Sequence, residues 1–358
     1  METASPLLSV LVPTFNRAEL LKSALYSLAP QVRALDGLVE LVVSDNCSTD
    51  STSEVVTWAQ QFGPIRYHRN TKNIGACGNV MQLTNELATG TYGWILCDDD
   101  IARPDAVSRV LAVLQSPAPP DYIFVNVTAL PVQERQAFTR AVSGVDFPAL
   151  TPAKCPDLAD RVVSRFEELI DPSLDDVYLG SVMCSVFRLS VWRQHVLDVR
   201  LPEKAFSSLE YTYPHSVILA NTMRGRPAYY IGFPCVVTFF GGQEWLGYLP
   251  MVVLVRLQEL LDLYETMGVD AVRIDKCRAN LLGISQNALR AMLFDSRTLG
   301  REYFSFSRYI YRNRRCYWEL FKLLTAVLGM RRADVLAPAA RRLKLLGRCA
   351  RKLVQRHA

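Results

Sequence analysis

The chain has 358 residues, half of them hydrophobic and 21% charged, a globular composition large enough for one or two domains and too apolar for disorder. Its net charge of +5 is uneven: residues 331–358 hold nine Lys/Arg against one Asp, so the rest of the chain sums to −3. A basic nucleic-acid-binding core is thereby excluded, and the excess positive charge belongs to the tail. Nine cysteines stand singly with no C-x-x-C pair, which argues against a disulfide framework and against a zinc site, and for a reducing compartment. The N-terminus lacks a basic n-region, Pro13 breaks its apolar stretch, and no window of 18 residues is uninterruptedly apolar. A cytoplasmic location without a transmembrane helix is therefore expected.

Along the chain, Leu7–Val12 predicts a buried strand between Pro6 and Pro13. Leu20, Leu21, Ala24, Leu25 and Leu28 recur at helical spacing until Pro30, where the helix is expected to stop. Val39–Ser44 reads as a second strand, and Ser51-x-x-Glu54 as a capping box opening the next helix. Ile65–His68 predicts a third strand, Gly78–Ala88 a third helix ending at Gly90, and Tyr92–Leu96 a fourth strand that runs into Cys97-Asp98-Asp99-Asp100. Alternation of this kind means a mostly parallel, Rossmann-like α/β sheet with helices on both faces, whose ligands sit beyond the carboxyl ends of the strands. Asp121–Val127 adds a strand. Residues 128–160 lack periodicity and suggest a surface excursion or flap. From about Arg161 the pattern turns helix-rich, apart from the strand-like run Tyr229–Phe240, with helical stripes over Met251–Tyr264 and Ala271–Leu293. The expected division is a donor-binding half over 1–127, an acceptor and catalytic half with flap loops over 128–245, and a helical region over 246–358.

Three adjacent carboxylates at a strand end, Asp98, Asp99 and Asp100, repel one another unless a cation joins them. Oxygen donors suit Mg²⁺ or Mn²⁺ bridging to phosphate; a solvated turn capping the next helix explains the triplet equally well by itself. The context is more specific. Val12-Pro13-Thr14-Phe15-Asn16-Arg17, then Val43-Ser44-Asp45-Asn46-Cys47-Ser48-Thr49-Asp50, then Asn73-Ile74-Gly75-x-x-Gly78-Asn79 follow successive strands ahead of the triplet. In this order they resemble the family 2 glycosyltransferases of the GT-A fold, over about residues 7–127. The nearest subgroup is that of non-processive sugar transferases of bacterial surface polysaccharides, abequosyltransferase-like enzymes.

The resemblance implies roles. Pro13 and Thr14 would line a nucleobase pocket with Asn16 and Arg17 at its mouth, and Asp45 would accept a hydrogen bond from the base. Asn73, Gly75 and Asn79 would shape the loop beside base and ribose. Asp98 and Asp99 would meet the donor nucleotide, and Asp100, with Asp98, would hold the Mn²⁺ or Mg²⁺ that neutralises the diphosphate. For Asp45 an Asx-turn is the competing reading, and Gly75 and Gly78 serve equally as turn glycines. Neither a dinucleotide fingerprint nor a Walker A pattern occurs.

A general base for the acceptor hydroxyl is less legible. Many family members carry an adjacent Glu-Asp pair in the acceptor half, which this chain lacks. Glu210 is the leading candidate, with a dipole-favoured Glu in the first turn of the helical run near Ser216 as the competing reading; Asp175 and Asp176, after a Pro172-Ser173 helix start, are weaker. His215 is a second-rank metal or diphosphate contact and otherwise a buried structural residue. Trp245, between Gly242 and Gly247, suits a loop stacking on a sugar of the acceptor, or else a core anchor. No Q-x-x-R-W motif occurs, so single transfers to a glycan or lipid-linked saccharide are expected. Arg341–His357 forms a basic amphipathic stripe, suited to peripheral contact with an anionic membrane face or to docking on the domain. A sugar nucleotidyltransferase and a non-catalytic binding or scaffold protein of the same fold are the alternatives. The first is disfavoured because Thr14-Phe15-Asn16-Arg17 contains no glycine-rich triphosphate loop.

Overall fold

In a computed structural model the described residues are 5–136, 153–199 and 204–329. The basic stripe over 341–357 and residues 137–152 of the expected flap lie outside them. A nine-stranded sheet runs in the order β3-β2-β1-β4-β8-β6-β9-β5, with β7 pairing β9. Strands β1 (Leu8–Thr14), β2 (Val39–Asp45), β3 (Arg66–Arg69) and β4 (Tyr92–Ile95) are mutually parallel. Strands β1, β2 and β4 are buried almost throughout, the signature of a sheet covered on both faces. The parallel order ends at β4, which pairs antiparallel with β8 (Ser185–Arg188). Beyond it β6 (Tyr122–Pro131) pairs antiparallel with β8 and parallel with β9 (Ala228–Phe240), while β5 (Ile101–Ala102) and β7 (Arg161–Val163) flank β9 antiparallel. The sheet as a whole is therefore mixed: a four-stranded parallel block within the first hundred residues and a second parallel pair, β6 with β9, are joined through the antiparallel β8.

Several elements differ locally from their predicted form. Helix α1 (Ala18–Ala34) passes through Pro30. Proline removes a backbone donor, and here the Gln31 side chain donates to the carbonyls of Ser27 and Arg103, each at 2.7 Å, tying the interrupted turn to a neighbouring loop. The expected Ser51 capping box does not form: α2 (Thr52–Ala59) has no side-chain cap bond from Ser51. Asp50 replaces it, accepting from Thr52 N at 3.2 Å and Thr52 Oγ1 at 2.6 Å, while its other oxygen accepts from Ala18 N at 3.0 Å at the start of α1. One carboxylate thus serves two helix N-termini. Helix α3 (Ala76–Gln82) continues as a π-turn over Leu83–Leu87, and Arg193 Nη2 donates to the Thr84 and Ala88 carbonyls around that turn, each at 2.8 Å. No helix starts at Pro172-Ser173. Asp175 instead closes a turn, accepting from Val177 N and Leu179 N at 3.2 and 2.8 Å.

Helix α4 (Ala106–Leu114) packs on α1, and α5 (Pro214–Thr222) joins the sheet region to the helical half. That half contains α6 (Leu257–Thr266), α7 (Ala271–Ile284), α8 (Gln286–Phe294), α9 (Phe306–Arg312) and α10 (Tyr317–Leu328). The predicted stripe over Ala271–Leu293 is divided at Ser285. One hydrophobic core runs from β1 to α10. A satellite of Ile101, Leu130, Val237 and Phe239 lies at the β5–β9 edge. No described helix is long and apolar enough to cross a membrane, and all eight described cysteines are free thiols.

Candidate active site at the carboxyl edge of the sheet

Strands β1, β2 and β4 end side by side, and the loops that follow them border a cleft of about 670 Å³. Its lining includes Pro13 and Thr14 from the end of β1, Arg17 from the loop after it, Asn46, Asn73 and Gly75 from the second and third loops, and Asn79 from α3. Cys97, Asp98 and Asp99 come from the fourth, and Gln243, Glu244 and Trp245 from the segment after β9. Residues more than 200 positions apart in sequence thus share one concavity, because parallel strands deliver all their C-terminal loops to the same edge.

Asp98 points inward. It is 3% exposed and accepts from Thr14 Oγ1 at 2.9 Å and Arg17 Nη1 at 2.7 Å. Burial pushes its carboxyl up to about 6, with Asp99 adding to the rise and Arg17 opposing it. Arg17 also reaches Asp99 Oδ2 at 3.2 Å, and Arg135 donates to the Asp99 carbonyl at 2.9 Å while lying over the Phe239 ring. Asp100 is 3% exposed; one oxygen accepts from the Cys97 amide at 3.0 Å and the other, Oδ1, is buried with no hydrogen-bond partner. Burial, and after it the charge of Asp99, holds the Asp100 carboxyl far above the usual carboxylate range.

Cys97 Sγ and oxygens of Asp99 and Asp100 lie within 4.8 Å of one another. The donor set gathered among the described residues therefore comprises Asp99 and Asp100 with Cys97, while Asp98, expected to help bind a metal, is engaged by Thr14 and Arg17. Two hard carboxylates, one with an orphaned buried oxygen and a strong resistance to ionising alone, fit a divalent cation.

Below the cleft four asparagines fix the loops. Asn46 donates to Asn73 Oδ1 at 2.9 Å and to the Gly75 carbonyl at 3.0 Å, and accepts from Asn70 Nδ2 at 3.1 Å and Ile74 N at 2.9 Å. Asn79 clamps Ser44, accepting from its hydroxyl at 2.6 Å and donating to its carbonyl at 2.9 Å. Gly75, at φ 80° and ψ 164°, occupies backbone space in which a side chain is strained, so it is more than a permissive turn residue. Asn16, at φ 52°, accepts from Thr49 N at 2.7 Å and so ties the first loop to the second. Asp45 is absent from the cleft wall. It is 1% exposed and accepts from Ser48 N at 2.8 Å and Tyr67 OH at 2.6 Å, with Arg69 Nε at 3.5 Å. The bond from Ser48 N closes a turn on Asp45 Oδ1.

The acceptor-side candidates separate more sharply. Trp245, 38% exposed, lines the cleft with its ring 5.9 Å from that of Phe206. Glu210 does not line it; its carbonyl lies 3.8 Å from Cys77 Sγ and its residue is exposed. His215 is buried, its Nε2 has no partner, and burial pushes its imidazole down to about 4. Asp175 is buried against Lys154 Nζ at 2.7 Å, and the more exposed Asp176 lies 3.5 Å from the same amine. Asn46, Gln243, Glu244 and Cys97 were missed as site residues by sequence reasoning. Asn46 adjoins Asp45, and Glu244 precedes Trp245, so the signal was proximity to residues already singled out.

The model of the family described as glycosyl transferase family 2 matches residues 9–140. The abequosyltransferase RfbV of Salmonella typhimurium is 37% identical over 115 residues, which are 31% of this chain and 34% of that protein. A PGL/p-HBAD biosynthesis glycosyltransferase of Mycobacterium bovis is 33% identical over 129 residues, 35% of this chain and 48% of that one. The matched region thus spans a third to a half of these relatives. Among solved structures, S. aureus TarS 1–349 superposes with a TM-score of 0.50 at 16% identity, covering 89% of this chain and 80% of that one. The same TarS fragment has been solved in complex with UDP-GlcNAc, and that structure also superposes with a TM-score of 0.50. Residues 9–140 of this chain thus match the model of glycosyl transferase family 2, on a GT-A-like fold.

Proposed function

We propose that this protein is a glycosyltransferase that moves a sugar from a nucleoside-diphosphate donor to a hydroxyl of a glycan or lipid-linked saccharide, one residue at a time and with inversion. The observation that carries the reading is the cleft at the strand ends, where an asparagine-braced wall faces Asp98 and Asp99, with Asp100 buried directly behind them. Family 2 membership of the segment that builds this wall supports it, as does the UDP-GlcNAc complex of the structurally similar TarS.

In this reading Pro13, Thr14, Asn46, Asn73 and Asn79 shape the nucleotide end, and Gly75 lets the backbone approach it closely. Arg17 holds Asp98 in place and carries positive charge at the mouth, where a diphosphate would lie. Asp99 and Asp100 would hold Mn²⁺ or Mg²⁺, which supplies charge stabilisation to a departing nucleoside diphosphate. Glu244 is an exposed carboxylate on the cleft wall beside Trp245. We assign the proton-accepting role to it, because Glu210 stands outside the wall and Asp175 is committed to Lys154. Trp245 offers a flat apolar face to a sugar ring. Inversion and single transfer rest on the family resemblance and on the missing Q-x-x-R-W motif. Peripheral membrane contact rests on the basic stripe of 341–357 alone.

The test is calorimetric titration with UDP, GDP, CDP and dTDP, with and without Mn²⁺, on the wild type and Asp100→Ala. Mn²⁺-dependent binding of one nucleotide, lost in the variant, is the expected result. Absence of binding to all four would remove the donor site.

A further inference from the structure

Cys97 stands one residue before the acidic triplet and lines the cleft. Its Sγ, an oxygen of Asp99 and an oxygen of Asp100 all lie within 4.8 Å of one another. Donors about 2.0–2.5 Å from a shared ion are separated from each other by about 3–4.5 Å, so the three atoms nearly span one coordination sphere already. Independently, Asp100 Oδ1 is buried without a hydrogen-bond partner, on a residue only 3% exposed. Asp98 is not available to complete the set, since Thr14 and Arg17 occupy its two oxygens.

We propose that the sulfur of Cys97 is a third protein donor of the cation site, alongside Asp99 and Asp100. The proposal rests on the metal-dependent donor site described above. It adds a consequence that carboxylates alone would not produce: the site prefers thiophilic divalent ions. Mn²⁺ binds ahead of Mg²⁺, and Cd²⁺ or Zn²⁺ ahead of both, because a thiolate is a soft ligand and Mg²⁺ accepts oxygen almost exclusively. On binding Cd²⁺ the thiol gives its proton to solvent and a sulfur–cadmium bond forms.

The experiment uses the full chain, freed of metal, with Cd²⁺ alone as the probe. The ultraviolet thiolate-to-cadmium charge-transfer band is followed for the wild type, Cys97→Ser, Asp100→Asn and, as a control for the other thiols, Cys316→Ser. The wild type and Cys316→Ser are expected to share a one-equivalent band that excess Mn²⁺ displaces. That band should be missing in Cys97→Ser and weakened in Asp100→Asn. Calorimetry should show the preference for Mn²⁺ over Mg²⁺ falling about tenfold in Cys97→Ser. Identical Cd²⁺ bands and identical Mn²⁺/Mg²⁺ ratios in wild type and Cys97→Ser, with Mn²⁺ still supporting UDP binding, would overturn the role of Cys97 and leave the donor site standing. No binding of any divalent ion by the wild type would overturn both.

Discussion

Arg17 Nη1 and Asp98 Oδ1 are 2.7 Å apart across 81 residues of sequence, joining the start of α1 to the end of β4. The arginine side chain is 30% exposed and the aspartate 4%, so the pair is buried on its anionic side only. Arg17→Met leaves that carboxylate in the protein with Thr14 as its remaining side-chain partner. We expect a loss of about 1–3 kcal/mol at neutral pH by chemical denaturation. Asp98 already titrates near 6, and removing Arg17 raises it further. The destabilisation should therefore shrink at pH 5, where the group is protonated. Equal losses at pH 5 and pH 8 would contradict this account.

Asp100 predicts an opposition between stability and binding. Its folded carboxyl titrates well above its ordinary value because of burial and Asp99. The unfolded chain ionises first, so the metal-free fold loses stability as pH rises through that interval. Asp100→Asn removes the penalty and should stabilise the metal-free protein by roughly 0.5–2 kcal/mol at pH 8. The same variant should lose Mn²⁺-dependent nucleotide binding. Thermal melts in chelator and with Mn²⁺ plus UDP check both halves, and a variant less stable than wild type in chelator would refute the first.

Glu244 and Glu210 can be separated with water as the acceptor. Glu244→Gln should leave nucleotide affinity intact and slow metal-dependent release of nucleoside diphosphate from the sugar donor by about 10²-fold or more. Glu210→Gln should stay close to wild type, since its residue lies off the cleft wall. The measurement is the initial rate of that release in wild type and in each variant, with nucleotide affinity followed alongside by calorimetry. The reverse ranking would return the role to Glu210.

His215 gives the acid side of the stability profile. Its ordinary value is 6.5 and burial lowers it to about 4 in the fold. As pH falls the unfolded chain takes up the proton first, so stability drains away between about 6.5 and 4 and no further below. The integrated loss is on the order of 3 kcal/mol. Urea midpoints for His215→Gln should slope less steeply than wild type across this interval, and parallel slopes would show that another group is responsible.

The first hundred residues were legible because their elements are local. Strands β1, β2 and β4 are short apolar runs bounded by turn residues, and each parallel strand must send its following loop to the same edge. The order of Thr14, Asn73 and Asp98 along the chain therefore marks the edge of the sheet where the cleft lies. Local capping was less legible: Ser51 and Glu54 match a capping box, yet Asp50 caps α2 because it also reaches the start of α1, a contact 32 residues away in sequence. Glu210 drew attention as an isolated carboxylate among aromatics, and nothing in the sequence says that its loop meets Cys77 rather than the cleft.

What the sequence alone determined is the periodic part: strand, helix, strand end, and the residue types delivered to each end. Burial and turn chemistry act over a few residues and leave their pattern in the chain. Only the tertiary structure decided how each carboxylate is used. Asp45 closes a turn, Asp98 is taken by Arg17, Asp99 and Asp100 converge with Cys97, and Glu244 arrives from beyond β9. Those outcomes depend on which distant groups approach within about 3 Å, a distance that sheet order and loop packing set and that sequence spacing does not encode.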